Sequence, residues 1–137
     1  MAITYQIEND LPADEFTAVL RASTLGLRRP VDDPERMAAM VRHANLIVTA
    51  RLDGKLVGVA RSVTDFVFCT YLSDLAVDQA LQRQGIGREL IRRTKLATPQ
   101  AKLILLSAPA AVDYYPRIGM TRHDAAFYLD DAEDIRG

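Results

Sequence analysis

The residues best suited to chemistry form one short run. Gln82-Arg83-Gln84-Gly85-Ile86-Gly87 leads straight into the helical pattern Arg88-Glu89-Leu90-Ile91-Arg92-Arg93 and follows the strand-like run Tyr71-Leu72-Ser73-Asp74-Leu75-Ala76-Val77. A glycine-bearing loop between a strand and a helix start offers backbone N–H groups and the positive end of the helix dipole, which together suit a phosphate or pyrophosphate. The spacing argues against two common phosphate binders. A dinucleotide fingerprint needs a third glycine three residues after Gly87, where Leu90 stands, and a Walker loop needs Gly-Lys-Ser/Thr where Gly87 is followed by Arg88-Glu89.

Taken alone, Gly85 and Gly87 would serve equally as a tight strand-to-helix turn with Gln82 and Arg83 as solvated loop residues. A second motif weighs against that reading. In Ser107-Ala108-Pro109-Ala110-Ala111-Val112-Asp113-Tyr114-Tyr115-Pro116-Arg117-Ile118-Gly119-Met120 an Ala and a Tyr precede a Gly and a large apolar residue. With Gln-x-x-Gly-x-Gly after a strand ending in Leu-Ala-Val, and the two motifs in this order and separation, the chain resembles the GNAT superfamily of N-acetyltransferases. Within it the chain is distantly similar to arylalkylamine acetyltransferases, through Leu-Arg-Arg-Pro-Val-Asp-Asp-Pro and Tyr-Leu-Ser-Asp-Leu.

The resemblance implies acetyl-CoA as donor and direct transfer to a primary amine of a small molecule or peptide, with no covalent enzyme intermediate. It assigns the pantetheine arm to the backbone of Leu75, Ala76 and Val77. The pyrophosphate falls to the N–H groups of Gln82, Arg83, Gln84, Gly85, Ile86, Gly87 and Arg88, with Arg83 or Arg88 adding a charge-assisted contact. Tyr115 matches the tyrosine that acts as general acid near the sulfur, and its phenol, with a reference pKa of about 10, is protonated at neutral pH. The alternative is that Tyr115 packs helix on sheet while Tyr114 faces the cofactor. Ala108 stands where family members often carry Asn, which removes one side-chain contact to the cofactor arm. For the base, the family's use of ordered water near the fourth strand makes Asp74, Ser73 and Tyr71 the candidates. Asp74 is the only carboxylate of that run, although strict alternation sets it on the opposite face from Tyr71, Ser73 and Leu75 unless a bulge intervenes. A structural carboxylate holding a loop is an equal reading of it. Two other classes of function remain open: a regulatory module that binds acetyl-CoA without turnover, and the same fold used only as a homodimer scaffold.

His43 and His123 titrate in the range of a base, but His43 sits at an expected helix end and His123 in a turn beside Asp124, with no neighbouring ligand to suggest a metal. Cys69 is the lone cysteine and reads as a buried structural thiol among Val67, Phe68 and Tyr71. The 137 residues are 49% hydrophobic and 26% charged, with a net charge of −1. The expectation is therefore a single domain over 1–137, with no basic patch for nucleic acid. Short apolar runs and an N-terminus without a charged-then-apolar pattern suggest a cytoplasmic protein that neither crosses nor binds a membrane.

The elements that must position these groups follow from periodicity. Ile3 to Glu8 alternates as a strand, and Pro12 with Asp14-Glu15 opens a helix carrying Phe16, Val19 and Leu20 inward until Gly26 stops it. Asp32-Asp33-Pro34-Glu35 opens a second helix, with Met37, Met40 and Val41 on one face, ending near Ala44-Asn45. Leu46–Leu52 and Leu56–Val63 flank Asp53-Gly54, a hairpin signal, and Phe66 to Val77 completes a meander. An amphipathic helix runs from Ile86 to Ala97, with Ile86, Leu90, Ile91 and Thr94 inward. Then come a buried strand from Lys102 to Ser107, a short helix from Ala110 to Ile118 that Pro116 ends or kinks, and a last strand at Ala126–Leu129 before an acidic tail. The resemblance turns this order into an α/β fold with a mixed sheet, its fourth and fifth strands splayed between Leu72–Val77 and Leu103–Ser107. The first two helices, the loop from Leu25 to Asp33 and the chain around Tyr114 to Arg122 would select the acceptor, but the mixed charges of that loop do not fix the acceptor's charge.

Overall fold

The computed structural model describes residues 2–137. Its elements are β1 (Ile3–Ile7), α1 (Ala13–Ala22), α2 (Pro34–His43), β2 (Leu46–Leu52), β3 (Lys55–Thr64), β4 (Cys69–Val77), α3 (Ile86–Ala97), β5 (Lys102–Ile104) and α4 (Tyr114–Arg117), joined by 3₁₀ turns. The chain divides into a first unit ending at Leu106 and a second, Ser107–Gly137.

The first unit is a five-stranded mixed sheet in the order β1-β2-β3-β4-β5, antiparallel as far as β4, with β5 parallel to it. The turn between β2 and β3 puts Asp53 at φ 52° and Gly54 at φ 84°. Left-handed conformation at both central residues matches the twist of a two-residue hairpin, which is why Asp-Gly works there.

On one face of the sheet lie α1 and α2. Phe16, Val19 and Leu20 of α1 and Met37 and Val41 of α2 pack on Ile47, Val59 and Ala76. Asp33 caps α2 by accepting from the Arg36 N–H at 3.1 Å, and Pro34 opens the first turn. Gly26 does not stop α1, which already ends at Ala22, but lies inside a 3₁₀ turn, Thr24–Arg28. A Cβ there would stand 2.7 Å from the Leu20 carbonyl oxygen, so only glycine lets this turn fold back on the end of α1.

On the other face lies α3, with Ile86, Leu90, Ile91 and Thr94 buried. Gly58 in β3 makes the approach possible, since a Cβ there would meet Leu90 Cδ1 at 3.1 Å and Ile86 Cγ2 at 3.2 Å.

Several expectations fail at the edges. The third strand of the meander begins at Cys69 rather than Phe66, because the Asp65 carboxylate collects the N–H groups of Val67, Phe68 and Cys69 into a turn. Cys69 is exposed, not buried, as are Val67 and Phe68, since they form the tip of the β3–β4 hairpin. β5 ends at Ile104 and is an edge strand with Ile104 44% exposed, not a buried strand reaching Ser107.

In the second unit, the helix expected from Ala110 to Ile118 is a 3₁₀ turn at Pro109–Ala111 followed by the single turn of α4. The strand expected at Ala126–Leu129 does not form. Phe127 and Tyr128 are 91% and 78% exposed, and a strand without a neighbour has no ladder to hold it. Among the described residues no helix is long and apolar enough to cross a membrane.

Candidate functional site

β4 and β5 stay in register only from Cys69↔Lys102 to Tyr71↔Ile104, while β4 runs on to Val77. Which backbone groups this frees follows from one bond. The Asp78 N–H donates to the Val57 oxygen at 2.8 Å, so Asp78 and, two residues back, Ala76 turn their backbone groups toward β3. Leu75 and Val77 must then turn theirs toward the other edge, beyond the point where β5 leaves. The Gln82 side chain donates to the Val77 oxygen at 3.1 Å and ties the following loop to the strand end.

That loop is shaped by two left-handed residues, Arg83 at φ 66° and Gly85 at φ 84°. Gly85 is the N-cap of α3, and the Glu89 N–H donates to its oxygen at 3.1 Å as the first bond of the helix. The N–H groups of Ile86, Gly87 and Arg88 therefore have no acceptor within the helix. Arg83 and Arg88 are both exposed beside them. Outward N–H groups and two cations at a helix start, following a strand edge with outward amide groups, fit a pyrophosphate carrying an amide-rich arm.

The strand carries a second feature. The register passes from Arg61↔Asp74 to Ser62↔Leu72, so Ser73 is an extra residue and β4 bulges. Leu75 lies opposite Ala60 and Leu72 opposite Ser62, on the Gly58 face that α3 covers. Asp74 opposite Arg61 and Tyr71 opposite Val63 lie on the α1–α2 side. The bulge has brought Tyr71 and Asp74 to one face, where uninterrupted alternation would separate them. Ser73 joins them, its hydroxyl accepting from Arg61 Nη2 at 3.1 Å.

Asp74 is fully buried. Its Oδ1 accepts from Arg29 Nε and its Oδ2 from Arg61 Nε. Arg29 also donates to the Ser73 carbonyl at 2.8 Å and to the Arg28 carbonyl at 2.9 Å. Arg61 donates to the Met40 carbonyl at 3.1 Å, and its guanidinium lies 6.0 Å from the centroid of the Phe16 ring. The cluster thus joins β3, the β4 bulge, α2 and the loop before it. With one arginine on each oxygen and no exposed surface, this carboxylate is placed to hold the bulge and the loop together. Arg61 lies outside every segment expected to form the site, and Arg29 falls within it only as part of the acceptor loop from Leu25 to Asp33. The available signal was Arg61 within the apolar run Leu56–Val63 and Asp74 within the run paired to it.

In the second unit, Tyr114 and Tyr115 are half-buried with ring centroids 5.2 Å apart, edge to face. Burial, with a contribution from Tyr114, raises the Tyr115 phenol above the ordinary tyrosine range, so it is a neutral donor at physiological pH. His123 accepts the Ala125 N–H on Nδ1 at 3.0 Å and is exposed, and His43 lies in the last turn of α2. Among the described residues no group of three or more His, Cys, Asp or Glu could hold a metal.

A model described as the Acetyltransferase (GNAT) domain matches residues 26–134. The chain is 30% identical over 86 residues to GCN5-related N-acetyltransferase 2, chloroplastic, of Arabidopsis thaliana, a match covering 61% of this chain and 30% of that protein. It is also 30% identical over 86 residues to histone acetyltransferase TAP1 of Glycine max, covering 61% and 34%. The match thus spans about a third of the length of these curated relatives. A GNAT family acetyltransferase of Streptococcus pneumoniae TIGR4 superposes with a TM-score of 0.77 at 20% identity, covering 94% of this chain and 98% of that one. Aminoglycoside N-acetyltransferase AAC(6')-Iy, in complex with CoA, does so with a TM-score of 0.71 at 11% identity, covering 96% and 95%. At these identities the superpositions establish the fold.

Proposed function

Because the chain belongs to the GNAT family of acetyltransferases, whose members use acetyl-CoA as acetyl donor, we propose that it transfers that acetyl group directly to a primary amine of a small molecule or peptide. The observation that carries the reading is the outward edge of Leu75 and Val77 leading, through the Gln82 tie to Val77, into the N–H groups at the start of α3.

The thioester supplies an activated acyl carbon. The acceptor's neutral nitrogen forms a bond to that carbon, the C–S bond breaks, and the sulfur leaves as a thiolate and takes up a proton. A thiol of cysteine-like pKa near ~8.5 is a fair leaving group, so positioning does much of the work. In this proposal the outward backbone of Leu75 and Val77 holds the arm, Ala76 between them being excluded because its backbone groups face β3, residues Gln82 to Arg88 hold the pyrophosphate, and Tyr115 gives the proton. Asp74 is assigned a positioning part, fixing Arg29 and Arg61 at the bulge, and the amine's proton passes to water on the Tyr71 and Ser73 side. The exposed free thiol of Cys69 suits a reducing cytoplasm, which we assign as its setting. A homodimer belongs to the same proposal, favoured by the exposed Phe127, Tyr128 and Leu129. A monomeric mass in sedimentation at micromolar protein would remove it.

The test is calorimetric titration of acetyl-CoA together with thiol release across a panel of amines. Saturable binding with amine-dependent thiol release is expected. Binding with no release for any amine would favour a regulatory module, and no binding would overturn the reading.

A further inference from the structure

The charges that the sequence leaves mixed around the acceptor loop are sorted by the fold. Asp32 is taken by Arg21 at 2.9 Å, and Asp33 is spent on capping α2. Glu35 stands exposed in the first turn of α2, with Arg28 and Arg36 exposed on either side of it in sequence. Asp74 is the one carboxylate that pairs with Arg29 or Arg61 among the described residues. Two guanidinium groups against one carboxylate leave one positive charge uncompensated at the bulge.

That charge sits on the arginine that can be reached. The Arg61 side chain is 10% exposed, whereas that of Arg29 is 23% exposed. A guanidinium has five N–H donors in a planar fork, and Arg29 commits three of them, to Asp74, Ser73 and Arg28. Ser73, whose carbonyl Arg29 holds, precedes Leu75 by two residues, about 7 Å of strand. The uncompensated charge is therefore held to β4 two residues before the first outward-facing residue of its free edge.

We infer that Arg29 recognises an anionic group on the acceptor, and that the acceptor is an α-amino carboxylate. The inference rests on the acetyltransferase reading and gives it a substrate class. The span of about 7 Å from Ser73 to Leu75 suits a small acceptor whose amine and anion lie close together, as on neighbouring carbons. The same charge disfavours polyamines, whose additional ammonium groups would approach a guanidinium whose one carboxylate partner, Asp74, is already shared with Arg61. The transfer balances as above: the α-nitrogen gains the acetyl carbon, the thiolate gains a proton, and the carboxylate is unchanged while it binds.

The test measures thiol release from acetyl-CoA with L-phenylalanine, L-phenylalaninamide and spermidine as matched probes, for the wild type, Arg29→Gln and Arg29→Lys. The wild type is expected to show kcat/KM at least tenfold higher for the acid than for the amide, with spermidine poorer still. Arg29→Gln removes that preference by raising KM for the acid, with KM for acetyl-CoA within twofold, and Arg29→Lys keeps part of it. Equal or better use of the amide or spermidine by the wild type overturns the inference and leaves the acetyltransferase reading standing. Thiol release with none of the three, alongside no calorimetric binding of acetyl-CoA, overturns both. The wild-type preference needs no variant to fold, and circular dichroism separates lost selectivity from lost structure in the variants.

Discussion

Gly85→Ala isolates the loop conformation from packing. A Cβ at this position would have no closer neighbour than Arg88 Nη2 at 4.0 Å, so alanine fits the space. What it does not fit is φ 84°, where an L-residue costs about 1–2 kcal/mol. If the loop keeps its shape, that strain lowers the stability of the protein, and a loss of about 1 kcal/mol corresponds to roughly 3–4 °C in Tm at this size. If the loop relaxes instead, the Gly85 oxygen leaves the Glu89 N–H, the first turn of α3 frays, and the N–H groups of Ile86, Gly87 and Arg88 no longer converge. The same 1–2 kcal/mol then appears as an acetyl-CoA affinity about five- to thirtyfold weaker. Calorimetric titration and thermal melts on one preparation distinguish the two, and Gly85→Asn is the control, since Asn tolerates the left-handed region and should retain most of both. Gly58→Ala should behave in the opposite way. Its Cβ would stand 3.1–3.3 Å from Leu90, Ile86 and Ala50, so it loses stability first. An unchanged Kd together with an unchanged Tm for Gly85→Ala would refute the reasoning.

Asp74→Asn leaves two guanidinium groups without their shared anion and is expected to destabilise by about 3–5 kcal/mol, read as a lower urea midpoint; an unchanged midpoint would remove the buried cluster as a structural element. Tyr115→Phe should lower kcat on the order of a hundredfold with acetyl-CoA affinity within about twofold, and the wild-type rate should hold until the pH exceeds the ordinary tyrosine value. Glu8, held by Arg51 and Thr49, has its pKa lowered from 4.5 to about 2. A depressed carboxylate gives stability that is complete above its unfolded value and lost as pH falls, so Tm should be level at neutral pH and decline between pH 4.5 and 2, with at most about 3 kcal/mol at stake; Glu8→Gln should flatten that decline, and an unaltered slope would count against the assignment. The buried Ser62 hydroxyl has no hydrogen-bond partner among the described residues, so Ser62→Ala should be neutral or raise Tm, whereas a fall of several degrees would mean the hydroxyl is satisfied.

Wherever one local rule decides an element, the sequence is a sufficient guide. Asp-Gly set the β2–β3 hairpin, Asp33-Pro34 opened α2, and the spacing of Ile86, Leu90, Ile91 and Thr94 gave the buried face of α3. Periodicity overreached where pairing decides. Ala126–Leu129 has the composition of a strand but forms none among the described residues, and the run from Lys102 stops at Ile104 because β4 and β5 part there.

By itself, then, the sequence determined the family, the glycine loop that opens α3 and the meander of β2, β3 and β4, since each depends on residues close together in the chain. The bulge at Ser73 and the joining of Arg29 and Arg61 to Asp74 were decided only by tertiary structure. A one-residue slip in strand pairing changes which face each side chain takes, and no spacing within β4 records it. Residues 45 and 13 positions apart became partners because the sheet set β3 beside β4 and α1 returned its following loop to the same place, where a charge out of water must find an opposite one.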